Sequence, residues 1–194
     1  MAEADGFNKR RSDVLSRIDK SRAQGVDKGI SKVVGLLNSK KNFYTTSSCA
    51  GRILVLKIPV SNRKDRVEWL FSSHDTVKFS DVKKALSGRV PPGKIWLRQD
   101  SAILHVCCRE LSDAERFLAA VQKVGFKRSG IISSKNGFTV EMASTEKLET
   151  LIAERKRVLV SDDYLRILIR EANIKLKRTR EKIRRLEGEI KSVR

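Results

Sequence analysis

Residues 45–52, TTSSCAGR, gather hydroxyl-bearing residues, a cysteine, a glycine and an arginine immediately before the apolar run Ile53–Leu56. Hydroxyls and exposed backbone N–H groups at a chain reversal hydrogen-bond to a carboxylate, an amine or a ribose, and Gly51 lets a ligand approach the backbone. Arg52 can grip a phosphate or carboxylate with two parallel bonds. The same residues also describe a polar turn with Cys49 buried as a small hydrophobe, and this segment alone leaves both readings open. In SSHD, His74 and Asp75 set an imidazole beside a carboxylate after a strand. Such a pair accepts a proton or orients a base, although surface turns carry it too. His105 alternates with Leu104 and Val106, so it shares a strand face with Ile103, Cys107 and Arg109, as a hydrogen-bonded sheet histidine does. Residues 125–130, GFKRSG, read alone as a helix cap and a connection.

Other chemistries lack their signatures. Cys107 and Cys108 are adjacent, so on a strand they point to opposite faces and cannot chelate as a CxxC pair does. His74 and His105 have no companion at ligand spacing, and no metal site is expected. GxxxxGK[ST], GxGxxG after a strand and GxSxG are all absent, which leaves the usual nucleotide, dinucleotide and serine-hydrolase readings without support.

The elements that must position these residues follow from periodicity. Of 194 residues 40% are hydrophobic, enough for a real core. Against 23 acidic residues stand 42 basic ones, a formal net charge of +19. That excess points to a polyanion, nucleic acid before an anionic membrane surface, but specifies no chemistry. No apolar run approaches the roughly 18 residues of a membrane span, the N-terminus lacks a signal-peptide h-region, and three cysteines without spaced pairs are no disulfide framework. A cytoplasmic protein is expected.

Behind Lys9, Arg10 and Arg11, residues Val14, Leu15 and Ile18 repeat at helical spacing, and a second helix holds Ile30, Val33, Val34 and Leu37. Strands are expected at 43–47, 52–60 and 66–74, then a short helix from Ser80 that ends at SGRVPPGK. Strands 94–98 and 102–109 meet at Gln99–Ser101 as a hairpin. Ser112 caps a helix bearing Ala114, Phe117, Leu118, Val121 and Val124, and Asn136–Gly137 joins strands 129–133 and 138–142. Adjacent hairpin-like pairs favour an α+β fold with a mixed, largely antiparallel sheet over a doubly wound one. From Asp162 onward, Leu165, Ile169, Ala172, Leu176, Thr179, Ile183, Leu186, Ile190 and Val193 follow an a/d heptad. They predict a helix of about 30 residues, roughly 45 Å long. Its residues Lys175, Lys177, Arg178, Arg180, Lys182, Arg184 and Arg185 form either the solvated face of a helical hairpin with the N-terminal helix or an arm lying along RNA. The expected division is an α+β catalytic domain over 1–160 and a long basic helix over 161–194. Self-association is not implied.

In chain order YTTSSCAGRI, WLFSSHD, ILHVCCR, GFKRSGI, VEMASTEKLE and YLRILIREANIKLKR resemble the tRNA wybutosine-synthesising protein 3 family. The likeness includes the leading SRAQGVDKGI, with Gly25 and Asp27, and is most specific from Ser47 to Arg52. The chain departs at Ala50, where many relatives have serine, and in WLRQDSAILHV, where relatives often carry an acid and a proline before the strand. The resemblance implies a methyltransferase that uses S-adenosylmethionine to methylate N4 of the 4-demethylwyosine-type imidazopurine at position 37 of tRNA-Phe. It implies an α+β fold that is not Rossmann-like. By resemblance, Thr46, Ser47, Ser48, Gly51 and Arg52 line the pocket and His105, Ser129 and Gly130 complete its wall, for cofactor or base. His74, with Asp75, is the candidate proton acceptor. Trp69 and Trp96 either stack on a base or fill a core. The basic excess would dock on the anticodon arm. A non-catalytic basic RNA-binding protein is the alternative.

Overall fold

The computed structural model describes residues 2–16, 25–59, 67–86 and 93–192. Ile18, the start of SRAQGVDKGI, positions 60 and 66 at two expected strand ends, segment 87–92 and Val193 lie outside them. In chain order the elements are α1 (Ala2–Leu15), α2 (Ser31–Asn38), β1 (Phe43–Cys49), β2 (Arg52–Ile58), β3 (Glu68–Ser73), α3 (Phe79–Leu86), β4 (Lys94–Asp100) and β5 (Ile103–Cys108). Then follow α4 (Leu111–Lys123), β6 (Gly130–Ser133), β7 (Phe138–Met142), β8 (Leu148–Glu154), β9 (Arg157–Val158) and α5 (Asp162–Ser192). They form two compact units. Unit one comprises Met1–Ala50, Ala102–Thr145 and Arg180–Arg194, and unit two comprises Gly51–Ser101 and Glu146–Thr179.

Unit one carries the sheet β1-β5-β7-β6, every pair antiparallel. Alternation along β5 and β7 sends Leu104, Val106, Cys108, Val140 and Met142 to one face. There they meet Val33, Val34 and Leu37 of α2, Ala114, Phe117 and Val121 of α4, and Ile183, Leu186 and Ile190 of α5. On the opposite face Tyr44 and Cys107 pack with Phe7 of α1, the rings of Phe7 and Tyr44 5.2 Å apart. Helix α1 is therefore docked on β1, where Arg11 Nε donates to the Phe43 carbonyl at 3.1 Å. It does not pair with α5 as a helical hairpin. The Asn136–Gly137 turn is as expected, with both residues at positive φ (65° and 104°) between β6 and β7. The cap of α4 differs from expectation. The helix begins after Glu110, and Asp113, not Ser112, supplies the side-chain acceptor, taking the Glu110 N–H at 3.2 Å.

Unit two carries β3-β2-β4-β8-β9, again antiparallel throughout. Its inner face, Ile53, Val55, Ile95, Leu97 and Ile152, packs on Val82 and Leu86 of α3 and on Leu165, Ile169, Ala172 and Leu176 of α5. The α+β class holds, as two antiparallel sheets in place of a single mixed one. The hairpin expected at Gln99–Ser101 does not form: β4 pairs with β2 and β8, whereas β5 pairs with β1 and β7. A tight hairpin needs positive φ at its turn. None occurs between Gln99 and Ile103, and Ser101 and Ala102 are buried at 7% and 2% exposure rather than presented to water. Strand β8 is an addition to the expected elements. Its turn into β9 is Arg155–Lys156, at φ 51° and 65°, without the usual Asn or Gly signal.

Helix α5 runs for 31 residues, and each a/d residue from Leu165 to Ile190 is buried. Leu165, Ile169, Ala172 and Leu176 belong to the core of unit two, and Ile183, Leu186 and Ile190 to that of unit one. Among the described residues no helix is long and apolar enough to cross a membrane.

Candidate functional site

The stretch TTSSCAGR falls partly in each unit, 45–50 in unit one and 51–52 in unit two. In unit one it forms the end of β1. The register against β5 shifts between Thr45 and Ser47. The extra residue of this bulge interrupts the alternation of faces, so neighbouring Thr46 and Ser47 are both exposed. Ser48 and Cys49 are half-buried and Ala50 is buried. The buried Ala50 N–H donates to Asp27 Oδ2 at 2.9 Å, while the Asp27 carbonyl accepts from Ile30 and Ser31 where α2 begins. Asp27 thus ties the last peptide of the hydroxyl stretch to the start of a helix.

A transverse row crosses this sheet: Ser47 on β1 opposes His105 on β5, His105 opposes Glu141 on β7, and Glu141 opposes Gly130 on β6. Residues in register share a face, so three expected site residues lie in line. His105 Nε2 lies 2.9 Å from Glu141 Oε2, with both side chains about one-third exposed. Glu141 escapes a reading of the sequence because β5 and β7 are separated by a helix and a strand. The buried Ser129 hydroxyl donates to the Phe126 carbonyl at 2.8 Å and accepts the Ala143 N–H at 3.0 Å, a clamp on the loop that enters β6. The thiol of Cys108 on the buried face is pushed up by burial, with Cys107 and Asp113 adding to the shift. Tyr44 is pushed up to about 12, first by burial and then by its hydrogen bond to Cys107.

In unit two Gly51 turns the chain at φ 85°, a region that favours glycine. Its carbonyl receives His74 Nδ1 at 3.0 Å. A carbonyl only accepts, so Nδ1 carries the hydrogen and Nε2 is the basic nitrogen of the neutral ring. The exposed Asp75 closes a small turn, its N–H donating to the Ser73 hydroxyl at 3.0 Å. Arg52 is held on two sides. Its guanidinium carbon stands 4.4 Å from the centre of the Trp69 ring, and its Nε lies 4.0 Å from Asp100 Oδ2. Asp100 also binds Arg98 at 3.0 Å, so the acid that precedes β5 orders two arginines.

The basic residues of α5 divide by exposure. Lys177, Arg178, Arg184 and Arg185 face solvent. Lys175 reaches Glu146 at 3.9 Å and Lys182 donates to the Ser144 hydroxyl at 3.3 Å. Arg180 lies against the backbone of Gly29, where an added Cβ would fall 1.6 Å from its Nη1.

A model of the family described as Methyltransferase TYW3 matches residues 9–192. The tRNA(Phe) 7-((3-amino-3-carboxypropyl)-4-demethylwyosine(37)-N(4))-methyltransferase 1 of Pyrococcus abyssi is 35% identical over 195 aligned residues, covering 100% of each chain. The methyltransferase of that description from Archaeoglobus fulgidus is 38% identical over 170 residues, 87% of this chain and 84% of its own. Among solved structures, the PH1069 protein from Pyrococcus horikoshii superposes with a TM-score of 0.88 at 33% identity, covering 98% of both chains.

Proposed function

The chain belongs to the Methyltransferase TYW3 family, and from that premise we propose that it transfers a methyl group from S-adenosylmethionine to N4 of the 4-demethylwyosine-type base at position 37 of tRNA-Phe. The observation that carries this is the extent of the likeness. Relatives described as N4-methyltransferases of that tRNA align over the whole chain, hydroxyl stretch and basic helix included.

The residues suit a methyl donor of this kind. Exposed hydroxyls at Thr46 and Ser47, with Ser48 beside them, match the hydrogen-bonding groups of a nucleoside, and an ordered guanidinium at Arg52 matches a carboxylate. Bound S-adenosylmethionine supplies a methyl carbon already activated on a sulfonium, so alignment, worth about 7–11 kcal/mol, is the main demand on the protein. N4 of the base gives up its proton as it takes the methyl group. His74, with Nε2 as its basic nitrogen, accepts that proton in our assignment. The Gly51 carbonyl accepts from Nδ1 and so fixes the tautomer of the ring, with Asp75 as the carboxylate next to it in the chain. Residues 1–160 are assigned the chemistry and 161–194 the docking of the anticodon arm through the exposed cations of α5. A tRNA substrate makes the cytosol the place of work.

The test is methyl transfer from labelled S-adenosylmethionine to tRNA-Phe bearing the unmethylated tricyclic base, read by nucleoside mass spectrometry. A heavier nucleoside at position 37 by one methyl is expected, and His74→Asn should lower kcat about 10²–10⁴-fold. Salt-sensitive tRNA binding without any transfer would favour a non-catalytic RNA-binding protein.

A further inference from the structure

The sheet of unit two has a second face. Register places Arg52, Leu54, Leu56 and Ile58 of β2 on the side opposite Ile53 and Val55. Trp69 and Trp96 both lie directly opposite Leu56, from β3 and β4, and Leu151 of β8 continues the row beyond Trp96. None of these residues belongs to the hydrophobic core shared by α3 and α5. Both tryptophans are partly exposed, and they flank Leu56, which is itself buried. The Nε1 of Trp96 is itself buried and has no hydrogen-bond partner among the described residues. An antiparallel sheet that buries one face ordinarily turns polar residues outward. This one carries an indole on each side of Leu56.

One end of that face is strongly basic. Lys94, Arg155, Lys156 and Arg157 are all exposed, and none forms an ion pair among the described residues. Glu154, across from Lys94, is the acidic group among them. Basic residues at an edge strand also deter edge pairing, but that role needs no strained turn. Arg155 and Lys156 occupy left-handed backbone, where side-chain-bearing residues are disfavoured by about 1–2 kcal/mol each. The chain uses Asn–Gly for the equivalent turn at 136–137. The opposite end of the face holds Arg52. Six residues of strand, roughly 20 Å, separate the two ends.

We propose that this face, from Arg52 past Trp69 and Trp96 to the Arg155–Arg157 tip, is a track for single-stranded RNA that seats the anticodon-loop nucleotides flanking the base to be methylated. Indoles stack on any base and cations follow the phosphates, which is how sheets bind unpaired strands without reading sequence. The inference rests on the tRNA reading above and adds where the loop lies.

Binding is measured with two unmodified probes of equal charge, a single-stranded oligoribonucleotide carrying the anticodon-loop sequence and a fully paired RNA. Trp96→Ala should weaken the single strand by about 5- to 100-fold and leave the paired probe within about twofold, while Trp96→Phe restores most of the affinity. Replacing Lys94, Arg155, Lys156 and Arg157 by glutamine should reduce the salt slope of single-strand binding by about 0.7 for each phosphate no longer neutralised. Equal losses on both probes, or an unchanged single strand, would overturn the track. No step of this experiment depends on methyl transfer. Transfer with an indifferent Trp96 removes the track and keeps the enzyme, and stacking without transfer does the reverse.

Discussion

Replacing Asp27 by alanine removes the acceptor that holds the Ala50 N–H at 2.9 Å. Ala50 is 0% exposed, so water cannot take over, and a hydrogen bond to a charged group is worth roughly 1.5–3 kcal/mol. A tenfold change corresponds to about 1.4 kcal/mol. The Ala50 amide should therefore exchange its hydrogen about 10- to 150-fold faster in Asp27→Ala than in the parent protein. Asp27→Asn keeps a neutral acceptor of about half the strength, and its exchange should fall between the two. Methyl transfer should follow the same order, because the peptide released directly follows Ser47, Ser48 and Cys49, and displacement of about 1 Å can lower a rate about 10²-fold. Amide exchange by NMR with single-turnover kinetics on the same variants makes the comparison. Unchanged Ala50 exchange in Asp27→Ala would refute the tether, whatever happened to activity. Unchanged activity despite faster exchange would mean that the hydroxyl stretch needs no fixed backbone.

Gly29→Ala puts a Cβ 1.6 Å from Arg180 Nη1, so the guanidinium must leave its seat. In urea unfolding the double variant with Arg180→Ala should be more stable than Gly29→Ala alone, and additive losses would contradict the contact. Tyr44 and Cys108 both hold their protons more tightly when folded. The stability they contribute is complete below their unfolded values and is lost as pH rises above about 9, for Tyr44 on passing from about 10 to about 12. Urea unfolding against pH should show that alkaline decline, and Tyr44→Phe should flatten it. On α5, exchanging Lys177, Arg178, Arg184 and Arg185 for glutamine should flatten the salt dependence of tRNA binding more than exchanging Lys175, which is already engaged by Glu146. Equal effects would mean that the helix faces RNA differently from its exposure pattern.

Periodic elements are legible in the sequence because their signal is local. Leu165 to Ile190 repeat every three or four residues, and Asn136–Gly137 names its own turn. Capping at α4 is legible only in kind, since Asp113 and Ser112 are both good acceptors one residue apart. Strand β8 is hidden for two physical reasons. A bulge between Ile95 and Trp96 in its pairing with β4 puts Ile152 and Ala153 both in the core, which breaks the two-residue alternation. Its turn residues, Arg155 and Lys156, are also long cations held at positive φ.

Non-local pairing hides most of the site. SSC-x-GR reads as one motif, yet the chain leaves one sheet after Cys49 and enters another at Arg52, so sequence neighbours acquire different partners. Proximity in sequence suggests Asp75 for His74, whereas the Gly51 carbonyl that binds His74 Nδ1 lies in a separate stretch of the chain. A carboxylate-bound histidine is found at His105, through Glu141, on two strands that are neighbours only in the folded sheet. Asp100 shows the reverse. As an acid before a strand it has no evident task in the sequence, and register alone sets it opposite Arg52. Hydroxyl and glycine chemistry can be read from composition within a segment, whereas the histidine-binding and arginine-ordering partners are chosen by strand order. Strand order here is unreadable at the point where β4 and β5, joined by two buried residues, part into separate sheets.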